Sequence, residues 1–226
     1  MRAHDFGEYE YEPVPGLPEK LPAGERILWQ GAPDFATLAQ RVFHVRKLAF
    51  YFAVLLVWRS GSAFADGESV RVAALSGAWV VALAAVSLGM FIAVSWLIAR
   101  TTLYTITNRR IVTRFGVALP MTFNLPFTMI GSAALRRYAN GTGDIPVALN
   151  GKDRIAYPVL WPHARPWRLT NPQPMLRAVP NANDVARILA DALGGHADAH
   201  PALTLAQGSP IGPIARVRVP AQLVTT

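Results

Sequence analysis

The hydrophobic pattern of this chain changes period along its length, and each change predicts a different kind of element. From Val72 to Ala99 (VAALSGAWVVALAAVSLGMFIAVSWLIA) no residue is charged and none is proline. A helix needs roughly 20 such residues to cross the apolar core of a bilayer, so this run predicts a spanning helix with some tilt. The buried helix of a soluble domain is seldom apolar on every face over such a length. A second run, about Val42 to Ala65, has a shorter apolar heart at Leu48 to Trp58, with Arg46 and Lys47 before it and Arg59 after it. It predicts a second span if those long side chains reach the two interfaces, and an interfacial or re-entrant helix otherwise.

After Arg100 the helical pattern gives way to alternation. TTLYTIT (Thr101 to Thr107) and RIVTRF (Arg110 to Phe115), separated by Asn108-Arg109, predict a hairpin. Asn140-Gly141 and Asn150-Gly151 mark two further turns, because both residue types tolerate positive φ. They divide predicted strands at Met129 to Tyr138, Ile145 to Leu149 and Arg154 to Trp161. A proline-rich stretch follows, with one more strand at Met175 to Val179. Then comes an amphipathic helix. Asn181 or Asn183 caps it, Asp184 suits its first turn, Val185, Ile188, Leu189 and Leu193 form its apolar stripe, and Gly194-Gly195 is expected to end it. Strands so spaced close into a small barrel or pack as two sheets. Two short pieces lie outside this block. Ile27 to Trp29 is a candidate strand ahead of a turn, and Ile214 to Val219 a candidate edge strand.

The expected organisation is an N-terminal arm over residues 1–40, a helical hairpin over 41–100 with spans near 42–65 and 72–99, a strand module over 101–195, and a flexible tail over 196–226. Charge orients it. Arg41, Arg46 and Lys47 precede the first helix and Arg100, Arg109, Arg110 and Arg114 follow the second, whereas Arg59 and Arg71 are offset by Asp66 and Glu68 in the link. The positive-inside rule then puts both ends of the hairpin, and both termini, in the cytosol. The start of the chain is acidic and proline-bearing, without the pattern of a cleaved signal peptide, so an internal helix is expected to do the targeting.

Composition narrows the chemistry. The charged share is 16% and the hydrophobic share 52%, the balance of a chain with part of its surface in lipid, and the net charge is +8. A basic excess beside a span favours an anionic membrane surface or an acidic protein partner. The chain has no cysteine, which excludes disulfides, thiolate metal sites and a cysteine nucleophile.

The words GERILWQGAPD (Gly24 to Asp34), a helical hairpin, YTITNRRIV (Tyr104 to Val112) and a strand-rich segment ending in a helix resemble the bacterial pleckstrin-homology-like membrane proteins. The opening HDFGEYEYEPVPGLPEKLPAGERILWQG, with HVRKLAFYF and the NGTGDIPVAL region, is similar to the photosynthetic reaction-centre assembly proteins of purple bacteria. The resemblance implies an α+β inner-membrane protein, a transmembrane hairpin carrying a cytosolic PH-like β barrel or sandwich capped by a C-terminal helix. It also implies a non-catalytic role in building the reaction centre, with reaction-centre polypeptides (and the light-harvesting ring) as partners and self-association as a homodimer.

Catalysis finds no support in the residues. The histidines His4, His44, His163, His196 and His200 fall in different segments without metal spacing, and no catalytic, cofactor-binding or metal site is expected. His44, at the head of the first helix, reads as an interfacial polar residue ahead of an axial ligand to bacteriochlorophyll. Two binding features stand out. Ala74, Ala78, Ala82, Ala85, Gly89 and Ala93 recur every three or four residues, a ridge of small side chains that lets another helix approach closely in lipid. That other helix is this chain's own first helix, a second copy, or a reaction-centre helix. Arg100, Arg109, Arg110, Arg114, Arg136 and Arg137 follow the membrane exit and are candidates for contact with anionic lipid or an acidic partner. Nucleic-acid binding is not expected, because no aromatic-basic platform or helix-turn-helix pattern appears.

Overall fold

A computed structural model describes residues 16–17, 19–117, 119–150, 157–166, 172–199 and 214–218. The chain divides into two compact units, a strand module (residues 1–34 with 100–226) and a helical unit, Phe35–Ala99.

The helical unit opens with the short turn α1 (Phe35–Thr37), continues as a π-helical turn (Leu38–Val42), and then forms α2 (Val45–Ala65) and α3 (Val70–Thr101). At 1.5 Å per residue α2 is about 32 Å long and α3 about 48 Å. Both are long and apolar enough to cross a membrane, and only 6% and 11% of their most apolar windows are buried within the chain. Between the two helices small residues allow the contact. A Cβ on Gly77 would lie 3.2 Å from Leu56 Cδ1 and 3.5 Å from Ser60 Oγ. Ala63 and Ala73 are buried, and the Phe43 and Phe91 rings sit 5.9 Å apart.

The strand module holds two four-stranded antiparallel sheets. The first has the order β1 (Ile27–Gly31), β2 (Leu103–Thr107), β3 (Arg110–Phe115) and β4 (Met121–Pro126). The strand β1 comes from the segment read as an arm and pairs with β2 across the whole helical unit in sequence, Ile27 opposite Thr107 and Gly31 opposite Tyr104. The second has the order β7 (Met175–Val179), β6 (Gly143–Leu149), β5 (Ile130–Arg137) and β8 (Ile214–Arg218). Of the two architectures left open, the sheets settle on a layered pair and do not close into a barrel. A last helix, α5 (Ala182–Ala199), lays Val185, Leu189 and Leu193 on a core of Tyr104, Ile106, Ile111, Phe127, Ile130, Val147 and Leu176.

Several expectations change. The predicted strand Arg154 to Trp161 is instead a helical turn, α4 (Tyr157–Leu160), where residues 157 onward are described. Pro158 lacks the amide a strand would use but fits a first helical turn, and the Trp161 amide donates to the Tyr157 carbonyl at 3.1 Å. The last helix runs through Gly194-Gly195 to Ala199. A glycine costs about 1 kcal/mol in a helix interior but leaves its hydrogen-bond ladder intact. The strand β4 lies where no element was expected, and Pro120 and Pro126 stand at its two ends. Of the tail, Ile214–Arg218 is an edge strand on β5, and the remainder past Ala199 lies outside the described residues. The Asn150-Gly151 turn and the first fifteen residues of the arm also lie outside them.

Candidate functional site

The helices carry the first candidate surface. The buried positions of α3 are Ala73, Gly77, Ser95 and Ile98. The six ridge residues Ala74, Ala78, Ala82, Ala85, Gly89 and Ala93 are all exposed, and a Cβ on Gly89 would meet nothing within 4 Å. Ala74 and Ala78 each follow a buried position, Ala73 and Gly77, by one residue, about 100° round the helix. The ridge therefore does not serve the contact with α2. It is flanked by large exposed side chains, among them Trp79, Val86 and Trp96. Trp79 and Trp96 lie about 26 Å apart along α3 at 1.5 Å per residue, close to the separation of the two aromatic belts of a bilayer.

The six arginines do not form one patch. Arg114 pairs with Leu103 at the start of β2, near Arg100 in the chain. Arg109 occupies the turn at the opposite end of that hairpin, on an open groove of about 890 Å³ that Arg26, Asn108, Ile188 and Asp191 also line. Arg110 is committed within the fold. Its Nε donates to Glu25 Oε1 at 2.8 Å and its Nη2 to Oε2 at 3.1 Å, while the Thr107 hydroxyl also donates to Oε1. The Glu25 side chain is 2% exposed. Arg136 and Arg137 end β5 in the other sheet, and the Arg136 guanidinium lies over the Tyr138 ring, 5.7 Å from its centre.

One buried polar network was not foreseen. His163 is 2% exposed and bridges elements far apart in sequence. The Arg177 amide donates to the Tyr104 hydroxyl at 3.1 Å, and that hydroxyl shares a hydrogen bond with His163 Nδ1 at 2.7 Å. The tautomer with its proton on Nε2 gives the phenol proton an acceptor. In that tautomer Nε2 donates to Thr102 Oγ1, 3.2 Å away. Burial, and then the Arg177 charge, push the imidazole down to about 3, well below its ordinary 6.5, so it is neutral at physiological pH. Burial pushes the Tyr104 phenol upward. Beside them is a cavity of only about 10 Å³, lined by Phe115, Phe123, Val147 and Met175 among others, with space for one water and no ligand. The network holds β2, β7 and the α4 region together and offers no substrate access. No local pattern in the sequence marks it, because its members come together only through the fold.

Among the described residues no cluster of three His, Asp or Glu side chains is placed to hold a metal ion. His44 stands alone at the N-terminus of α2, exposed and in the left-handed region at φ 53. His4 and His200, and the His196 side chain, lie outside the described residues.

Comparison with known proteins gives two findings. Residues 69–193 match the family model described as Bacterial PH domain. An uncharacterized 23.7 kDa protein in the puhA 5′ region of Rhodobacter capsulatus is 41% identical over 194 residues, covering 85% of this chain and 89% of that protein. No solved structure matches the chain significantly.

Proposed function

Because this chain belongs to the bacterial PH domain family, we propose that it works by binding rather than turnover, as a membrane scaffold of the PuhB kind in photosynthetic reaction-centre assembly. In this reading α2 and α3 cross the inner membrane as a hairpin, both termini and the strand module are cytosolic, and lipids and reaction-centre polypeptides are the partners. A homodimer is the expected state. The observation that carries the reading is the identity over 85% of the chain to a protein named for its place beside puhA. The α3 ridge supplies a means, since it stays exposed within the chain and small side chains let a second helix come close.

Deleting the protein should lower reaction-centre content while reaction-centre transcripts stay normal. The tagged chain should co-purify with reaction-centre polypeptides from photosynthetically growing cells. The double variant Ala82→Leu/Ala85→Leu should lose that co-purification without loss of thermal stability, because both positions face away from the chain's own contacts. Unchanged reaction-centre content in the deletion would overturn the assembly role. Binding of the protein to anionic vesicles would then leave a general lipid-binding PH protein as the better account.

A further inference from the structure

We infer that one end of the strand module, bearing Val117, Leu119, Met121 and Trp161, inserts into the interfacial layer of a lipid bilayer. These side chains are 50%, 78%, 44% and 51% exposed, and among the described residues they are all the large exposed hydrophobics that the module has. They gather at one end. The loop between β3 and β4 begins where Phe115 pairs with Met121, and the neighbouring pair, Arg114 with Leu103, ties it to the start of β2. Trp161 stands two residues before His163, which bonds Thr102 and lies 5.1 Å from the Phe115 ring. Gly116 sits at φ 129, and a Cβ there would collide with the Leu119 carbonyl oxygen.

Chain connectivity names the occupant. The apolar helix α3 ends at Thr101 and β2 begins at Leu103. Two peptide steps reach at most about 7 Å. If α3 spans, this end of the module emerges at the bilayer surface with exposed Arg100 among the headgroups, and no protein partner has to be brought to it. Aliphatic side chains with a tryptophan beside a cation are the composition of an interfacial anchor. The proposal rests on the span in the reading above, and its test separates the two.

The full chain has no cysteine, so Leu119→Cys, Leu83→Cys in the middle of α3 and Arg187→Cys on α5 each give a unique label site. Each is labelled with an environment-sensitive fluorophore and reconstituted in nanodiscs containing anionic lipid. Quenching is then measured with aqueous iodide and with a lipid-borne nitroxide. The Leu119 and Leu83 labels should be several-fold less accessible to iodide than the Arg187 label, and should be quenched from the lipid. A protected Leu83 label with a Leu119 label as open to iodide as Arg187 overturns the insertion and leaves the span standing. An open Leu83 label overturns both. Protection of Leu119 in native membranes but not in nanodiscs assigns the patch to a protein partner, and that also overturns the proposal.

Discussion

Lowering the pH from 7 to 4.5 is expected to cost the strand module about 2–3 kcal/mol of stability through His163 alone. The imidazole titrates near 6.5 when exposed and near 3 in the fold. Between those values the unfolded chain binds a proton that the folded chain refuses, so stability is complete above about 6.5 and falls as the pH drops toward 3. Two units of that window at about 1.36 kcal/mol each give the figure. The geometry gives the reason as well. A proton on Nδ1 would meet a Tyr104 oxygen that already accepts from the Arg177 amide, and the phenol proton would be left without its acceptor. Urea denaturation of the detergent-solubilised protein at a series of pH values measures the effect. His163→Gln keeps an acceptor and a donor near the same places and cannot titrate, so its profile should be flatter by that amount. A His163→Gln variant with the wild-type acid loss would place the cause elsewhere.

Glu25→Ala should destabilise the module by about 2–3 kcal/mol. Removing one partner of a buried ion pair typically costs about 3–5 kcal/mol, and the 28% exposure of the Arg110 side chain lets water recover part of it. The loss falls on the joint between β1 and the β2–β3 turn. There Glu25 holds Arg110 and Thr107, and Asn108 accepts from the Arg26 amide and donates to the Gly24 carbonyl. A double-mutant cycle with Arg110→Ala is the check. The double variant should be much less destabilised than the sum of the two singles, because it leaves no charge stranded. Simple additivity would show that the pair contributes nothing to folding.

The sequence made some of this legible and not the rest, for reasons of range. The two long helices and the β2–β3 hairpin rest on local pattern and lie close to where alternation and apolar length put them. One expectation changes because a glycine pair does not by itself stop a helix, and one strand has no local signal. Gly194-Gly195 is carried by the flanking turns of α5, and Pro120 and Pro126 flank a strand whose pairing with β3 is non-local. The ridge was legible as composition, but which way it faces depends on the rotation of α3 about its axis, set by Gly77 against Leu56. The His163 network was illegible, since Thr102, Tyr104, His163 and Arg177 are brought together by two sheets and carry no spacing. The arginines were read as one group because they are near in sequence, and an antiparallel hairpin sends its turn and its ends to opposite places.

That β1 precedes the helices and β2 follows them has a consequence for how the protein is made. Two strands can share hydrogen bonds only in the same compartment, so a chain whose helices enter a bilayer must cross it an even number of times before the first sheet can exist. A copy in which one helix fails to insert leaves β1 and β2 on opposite sides of the lipid, with the edge of β2 bare and the Glu25 carboxylate parted from its arginine. In such a chain an insertion error is also a folding error, because the β1–β2 ladder closes only when both strands share a compartment.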